Sequence, residues 1–161
     1  MNWKRWDNIG AMGLGILGLV GYLSWQVATD RYETMKLKAA PVDDWFSVRS
    51  VTIPDFVEGD DPMIQYDRQV HQEFSGTWNV EIHEVGGISD YALCSGSGTN
   101  LYQPKEELPK AGVKLSWFIG KDCKLPRGQY IAQMNWEVRP IGVPTKALSI
   151  TSNNFHVAPK V

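Results

Sequence analysis

The chain has 161 residues, of which 43% are hydrophobic, and a formal net charge of -2 at pH 7. This length accommodates one domain of ordinary size together with one further segment. A slightly acidic chain with only 16 lysines and arginines gives no electrostatic reason to expect nucleic acid, so we expect no nucleic-acid partner.

The first element in chain order is an uncharged segment at residues 9–27, rich in glycine and aliphatic side chains. At about 1.5 Å per residue, a helix over this segment is about 28 Å long, close to the thickness of a bilayer's hydrocarbon core. Aromatic rings that favour membrane interfaces lie at both ends, Trp6 before the segment and Tyr22 and Trp25 near its exit. The segment therefore predicts a transmembrane helix in contact with a lipid bilayer.

A cleaved signal peptide is the main alternative for the same segment. Such signals have shorter apolar regions and carry small residues at the last and third-last positions before the cut. A cut after Ala28 would place Gln26 at the third-last position, which is a poor fit. We therefore expect an uncleaved anchor, with residues 1–8 as a short cytoplasmic tail.

Small residues share one broad face of this predicted helix, namely Gly10, Gly13, Gly18 and Gly21. A face of small residues lets two membrane helices approach closely. It predicts packing against another span or self-association of the chain. A glycine-rich anchor without a protein partner is the alternative.

The next segment, residues 28–41, carries helix-forming residues and charges of both signs. It predicts a juxtamembrane helical stalk. The stalk ends at Pro41, because proline cannot continue a helix.

Beyond Pro41, at residues 42–161, short stretches of alternating polarity are separated by Gly, Pro, Asn and Asp. Trp78, Val80 and Ile82 alternate with polar residues, and this period of two is typical of half-buried strands. About seven strands are predicted, and no convincing helix interrupts them. They are WFSVRSVTI, MIQYDRQVHQEF, GTWNVEIHEV, YALCSGSG, VKLSWFI, GQYIAQMNWEV and ALSITSNNFHV.

Seven short strands over this length predict an all-β fold, an antiparallel sandwich of immunoglobulin or fibronectin type. Tyr130, in LPRGQYIAQMNW, is placed to tie the turn to a late strand, as a tyrosine does in such domains. The two cysteines do not match the antibody pattern, and a small barrel is the alternative architecture.

The two cysteines, Cys94 and Cys123, both follow the predicted anchor. A pair in one domain behind an anchor predicts a disulfide formed outside the cytoplasm. Two unpaired buried thiols are the alternative. The disulfide favours a single-pass inner-membrane protein whose C-terminal domain is periplasmic.

No pattern in the chain predicts catalysis, and we expect neither an enzyme nor a cofactor. The three histidines, His71, His83 and His156, are too dispersed for a metal motif, and we expect them to face solvent. The segment CSGSGTNLY is predicted to be a flexible turn after a strand, and Ser95 and Ser97 within it have no recognisable base.

Acidic residues cluster in PDFVEGDDP, as Asp55, Glu58, Asp60 and Asp61. Calcium prefers several carboxylates in one loop, so these residues are weak candidates for a metal site. The spacing is not that of a known calcium loop, and ordinary turn chemistry is the favoured interpretation.

The tryptophans after the anchor are interpreted mainly as core residues. Trp78, Trp117 and Trp136 lie in the buried phase of their predicted strands. A carbohydrate-stacking platform would need exposed aromatic rings, for which only Tyr102 and Phe118 are candidates.

Several stretches resemble small membrane-anchored proteins encoded in bacteriophage and prophage genomes. They are YDRQVHQEFSGTWNVEIHEV, CSGSGTNLY, CKLPRGQY and SNNF, within about Ile64 to Val157. The resemblance implies a phage or bacterial-envelope setting, and it transfers no catalytic residue.

The predicted function is a membrane-anchored periplasmic binding or assembly module that acts through protein–protein contacts. One alternative is a virion component, a capsid or tail decoration whose glycine-rich helix inserts into the particle. The other is an enzyme acting on the cell wall.

Overall fold

The computed structural model describes residues 4–87, 91–104 and 112–160, with side chains from residue 17 onwards. It divides into two compact units, Met1–Ala40 and Pro41–Val161. The second unit is called the β domain below.

The first unit is one helix, α1, at Lys4–Ala39. It covers both the predicted span and the predicted stalk, and it ends just before Pro41. In the part of the chain that the structure describes, no helix is sufficiently long and apolar to span a membrane. The side chains of residues 9–16 lie outside the described ones. The structure therefore gives the predicted transmembrane helix no support, and the span stays a prediction.

The β domain begins with a 3-10 turn at Val42–Asp44, and nine strands and one short helix follow among its described residues. The strands are β1 Phe46–Thr52, β2 Phe56–Val57, β3 Met63–Val70, β4 Phe74–Glu84, β5 Cys94–Tyr102, β6 Val113–Lys114, β7 Gly128–Arg139, β8 Lys146–Thr151 and β9 Phe155–Ala158. The helix, α2, spans Leu115–Ile119.

These strands form two sheets. The smaller has the order β1-β3-β6, and the larger has the order β2-β9-β7-β4-β5, with β8 also paired to β7. All pairings are antiparallel except that of β2 with β9. The prediction of a mostly β domain is confirmed at this level, while the immunoglobulin or fibronectin topology stays a prediction.

Aromatic rings join the two sheets. The ring of Phe46 on β1 lies 5.4 Å from those of Phe74 and Tyr102 and 5.5 Å from that of Trp136 on the larger sheet. Tyr66 on β3 stacks on Trp136 at 6.2 Å. Pairs in such tilted and stacked arrangements stabilise a core beyond the area that they bury.

The predicted strand VKLSWFI is wrong over most of its length, because only β6 is extended and α2 follows it. Asp61 stabilises this helical turn: its carboxylate accepts hydrogen bonds from the backbone N–H of Ser116, at 2.9 Å, and from the hydroxyl of Ser116, at 2.7 Å. A helix advances about 100° per residue, whereas a strand advances 180°. The residues that face the core in α2 are therefore not those that would face it in a strand over the same segment. As a result Trp117, predicted to be in the core, is 55% exposed, and Phe118, one of the two candidates for an exposed ring, is 4% exposed.

The predicted strand YALCSGSG is confirmed over residues 94–98, but the flexible turn predicted for CSGSGTNLY is wrong, because strand β5 continues to Tyr102. Its glycines make room for neighbours: a Cβ atom on Gly96 would clash with the backbone carbonyl of Phe118, and one on Gly98 would lie 2.6 Å from the ring of Trp78. Tyr102, the other candidate for an exposed ring, is 1% exposed.

Two predicted strands are interrupted. MIQYDRQVHQEF breaks at residues 71–73, and ALSITSNNFHV breaks at residues 152–154. At the second break the side-chain amide of Asn153 donates to the carbonyl of Ile53 at 2.9 Å and accepts from its N–H at 2.8 Å. The amide thus satisfies both backbone hydrogen-bonding groups of Ile53, which directly follows β1, as a neighbouring strand would.

Tyr130 makes the contact predicted for it. Its hydroxyl donates to the carbonyl of Pro126 at 2.8 Å, which ties the turn to the start of β7. Burial, reinforced by the negative charges of Glu84 and Glu58, raises the pKa of Tyr130 above its ordinary value of 10.0.

Candidate functional site

The predicted disulfide is present. Cys94 and Cys123 are bonded, with their Cα atoms 5.9 Å apart and a sequence separation of 29 residues. The bond ties the start of β5 to the loop after α2. It therefore fixes the position of α2 against the edge of the larger sheet.

The acidic candidates for a metal site have structural contacts instead. Asp55 accepts a hydrogen bond from the N–H of His156 at 2.7 Å, and Asp61 stabilises α2. Glu58 and Asp60 are exposed and take part in backbone contacts. Among the described residues, no three His, Cys, Asp or Glu side chains are placed to hold a metal ion together.

Two of the histidines have side-chain contacts that the sequence could not predict. His71 lies 3.2 Å from the hydroxyl of Ser47, and the Nε2 atom of His83 lies 3.5 Å from a carboxylate oxygen of Glu81. His71 and His156 are exposed, whereas His83 is half-buried.

The residues predicted to act at a membrane lie along α1. Tyr22 and Trp25 are exposed, and the side-chain amide of Gln26 donates to the Tyr22 hydroxyl. Gly18 and Gly21 have open space where a Cβ atom would lie. Trp6, Gly10 and Gly13 lie outside the residues whose side chains are described.

A cavity of about 220 Å³ lies beside α2. Its wall combines apolar side chains with carboxylates and lysines, including Phe56, Leu125, Asp60, Lys121 and Lys124, and Cys123 of the disulfide. Asp61 on the same wall already binds Ser116 and lies 3.9 Å from the Lys114 ammonium, so part of its charge is used within the fold.

The solvent side of the larger sheet is the most extensive candidate site. Three consecutive rows of residues cross β5, β4, β7 and β8 there, and none of the twelve is buried. We call these twelve residues the polar face: Thr99, Thr77, Glu137, Ala147; Ser97, Asn79, Asn135, Ser149; Ser95, Glu81, Gln133, Thr151.

The polar face is almost uncharged. Nine of its residues are Ser, Thr, Asn or Gln, two are Glu, and none is Lys or Arg. The central row places Asn79 beside Asn135 and flanks this pair with two serines. Such an arrangement can exchange many hydrogen bonds with a ligand while offering it no cation.

A second candidate site lies at the free edge of the same sheet. Within the described ranges, β5 is hydrogen-bonded to β4 on one side and ends the strand order on the other. Trp117 lies near this edge, with its ring stacked on that of Trp78 at 5.3 Å and edge-on to that of Phe118 at 4.9 Å. The exposed indole is therefore held in a fixed orientation.

Sequence reasoning missed both candidate sites. The alternation of β4 and β7 did predict which side of each strand faces water, but the partners across strands depend on the register. Trp117 was missed because its segment was interpreted as a strand. The pairing of β3 with β6 brings Leu115 within hydrogen-bonding distance of Pro62, and so places Asp61 beside α2. This proximity is visible only in the fold.

No protein-family model matches this chain, and no curated protein or solved structure matches it significantly.

Proposed function

We propose that this protein is a binding or assembly module that acts outside the cytoplasm through protein–protein contacts, with an immunoglobulin- or fibronectin-like sandwich as its binding part. The observation that carries this proposal is the free edge of β5 beside Trp117. The partner adds an extended segment to that edge.

The edge strand lacks the usual protection against such pairing. Natural sheets shield their edges with lysines, prolines, bulges or very short strands. β5 is nine residues long, carries no charge and no proline, and pairs with β4 in an unbroken register from Cys94 to Tyr102. An unprotected edge of this length suits the addition of a strand from another chain, in which main-chain hydrogen bonds supply affinity.

Trp117 supplies specificity beside the edge. Tryptophan is among the residues that contribute most to protein interfaces, especially when its conformation is fixed before binding. The contacts with Trp78 and Phe118 fix this ring, and Asp61 and the disulfide fix the helix that carries it. Because the indole is already fixed, this protein loses little conformational entropy when a partner side chain packs on it.

The extracytoplasmic location rests on the disulfide. Disulfides persist in oxidising compartments and are rare in the cytoplasm. Attachment to the inner membrane through residues 9–27, with the β domain in the periplasm, completes the proposal. Impermeant thiol labelling of Cys94 and Cys123 in spheroplasts tests it: labelling only after reduction supports it, and labelling only after lysis without reductant contradicts it.

Photo-crosslinking tests the edge contact. A photoreactive residue replaces the exposed Leu101 of the full chain in its native membranes, and crosslinked products are identified by mass spectrometry. We expect one reproducible partner. Two further substitutions should abolish the crosslink, Trp117→Ala by removing the indole and Asn100→Lys by placing a charge on the edge.

The matched control is Asn154→Lys, which adds the same charge at an exposed residue between β8 and β9. It should leave the crosslink unchanged. Recovery of monomer alone, or crosslinks that persist in both edge variants, would refute the proposed contact.

A further inference from the structure

We propose that the polar face binds an uncharged, hydroxyl-rich glycan chain. This site is separate from the free edge of β5, because its central residues lie on β4 and β7 and face away from the aromatic core. The inference therefore does not depend on the protein partner proposed above.

The charge of the polar face selects the ligand class. The whole chain carries both signs in nearly equal number, with 16 lysines and arginines and 18 aspartates and glutamates. On the polar face the only charged residues are Glu81 and Glu137, and the nearby Arg139 guanidinium is already paired with Glu137 at 2.6 Å. A nucleic acid or an acidic polysaccharide would meet two carboxylates and no available cation on this face. A neutral ligand meets no such penalty.

Hydrogen-bonding capacity on the central row is unused within the fold. Asn79 donates one hydrogen bond to Glu81 at 2.9 Å. In the described part of the chain, the side chains of Ser97, Asn135 and Ser149 make no hydrogen bond, although Asn135 is half-buried. Asn135 offers two N–H donors and an acceptor, and Asn79 keeps one N–H donor and its acceptor, which is the combination that a row of sugar hydroxyls requires.

The geometry suits an extended chain. The pairings of β4 with β5 and β7, and of β7 with β8, run through the three rows without a bulge, so the surface is continuous. Neighbouring strands lie about 4.8 Å apart, a spacing close to the repeat of an extended pyranose chain. One sugar unit can therefore meet one strand as the chain crosses the sheet.

An apolar ledge adjoins the Glu81–Gln133 row. The next residues along the two central strands are His83 and Ile131, which face each other across the sheet and are both half-buried. The imidazole and the aliphatic side chain can pack against the C–H side of a sugar ring. The site thus offers both kinds of contact that a pyranose presents.

The composition of the face argues against a protein occupant. The centres of protein interfaces are enriched in aromatic residues, methionine and arginine, and are depleted in serine and glutamate. The twelve residues include none of the enriched types. The hydroxyl groups of a glycan can be bound by serine, threonine, asparagine and glutamine side chains alone.

Co-sedimentation of the full chain in detergent with insoluble polysaccharides tests the inference. The probes are cellulose, chitin and an insoluble β-1,3-glucan, all of them neutral polysaccharides, with alginate as an acidic polysaccharide for comparison. We expect retention by at least one of the first three, weaker retention by alginate, and release by soluble oligosaccharides of the retaining polymer.

The double variant Asn79→Ala/Asn135→Ala should weaken that retention at least about tenfold, because two amides lose their hydrogen bonds to the ligand. Asn154→Ala removes an exposed amide elsewhere and should bind as the unmodified chain does. Melting temperatures of both variants check that they are folded, and Asn135→Ala alone, with an expected smaller loss, replaces the double variant if that one unfolds.

Absence of retention by all three polysaccharides would overturn the inference, and so would unchanged retention of a folded Asn79→Ala/Asn135→Ala variant. Either result leaves the crosslink at the edge of β5 unaffected. Loss of that crosslink in Asn79→Ala/Asn135→Ala, without any glycan retention, would assign the polar face to the protein partner instead.

Discussion

The two sides of the larger sheet are built from the same strands and differ in almost every property. Towards the smaller sheet, β4 and β7 present buried residues such as Trp78, Val80 and Trp136. Towards solvent, the residues between them are polar and exposed or half-buried, as Asn79 and Asn135 illustrate. Alternate residues of one strand therefore meet different requirements, since one side supplies the buried core and the other supplies the polar surface for which we propose a role in recognition.

Truncation of two adjacent residues of β7 should affect the two sides of the sheet very differently. Trp136→Ala removes a ring that contacts Phe46 and Tyr66, and we expect a loss of about 3–5 kcal/mol in the free energy of unfolding. Asn135→Ala, one residue earlier and on the polar face, should change it by less than about 0.5 kcal/mol. Calorimetric denaturation of both variants measures the contrast.

Similar losses in the two variants would contradict the division of roles between the two sides. A large loss in Asn135→Ala alone would mean that the amide row supports the fold rather than a ligand.

Removal of the disulfide should affect the stability of the fold and the edge of β5, but not the polar face. Cys94→Ser/Cys123→Ser opens a loop of 29 residues, and we expect the free energy of unfolding to fall by about 3 kcal/mol. Because Cys94 belongs to the buried side of β5, glycan retention by the folded variant should be unchanged, whereas the crosslink from position 101 should weaken because α2 and its Trp117 are less firmly held. Melting curves with and without reductant give the first effect, and the two binding assays give the others.

An equal loss of both binding activities in the folded double serine variant would show that the disulfide shapes the polar face as well. Cys94→Ala/Cys123→Ala is the control for the polarity of the introduced hydroxyls.

The smallest expected effect concerns Tyr130. Tyr130→Phe removes the hydrogen bond to Pro126 and should cost about 1 kcal/mol at neutral pH. Since the fold raises the pKa of Tyr130, the native state holds this proton more tightly than the unfolded chain does. The stability of the unmodified chain should therefore fall as the pH rises above 10.0, and its advantage over the variant should shrink there.

Denaturation of both chains between neutral pH and the alkaline range measures this difference. A constant gap between the two chains across that range would contradict the raised pKa. The two chains are identical at every other residue, so the comparison isolates the hydroxyl of Tyr130.

Alternation of polarity predicted the long strands because each has one buried and one solvated side, as in β4 and β7. It failed at VKLSWFI, where Asp61, distant in sequence, stabilises a helical turn on residues that alternate equally well. It predicted only the first part of β5, within YALCSGSG, and the rest was interpreted as a turn, since glycine lacks the side chain that carries the pattern. The glycines of β5 are explained only by the packing of Phe118 and Trp78 against them.

The candidate sites were less accessible from the sequence than the strands were. The residues of the polar face come from four strands, and no local motif announces which serine lies beside which asparagine. The disulfide was predictable because the chain has only two cysteines. The Tyr130 contact was predictable because its partner lies only four residues earlier in the chain.

The break between β8 and β9 has a consequence for synthesis on the ribosome. Asn153 binds the backbone of Ile53 across 100 residues of chain, and β9 pairs in parallel with β2, directly after Ile53. The β domain therefore has no partner for residues 53–57 until residues 153–158 have been synthesised and have reached the compartment in which the domain folds. At about 5–20 residues per second the wait lasts on the order of 5–20 s. Chaperones can act during this interval. A chain that ends before residue 153 lacks β9, which lies between β2 and β7, and cannot complete the larger sheet.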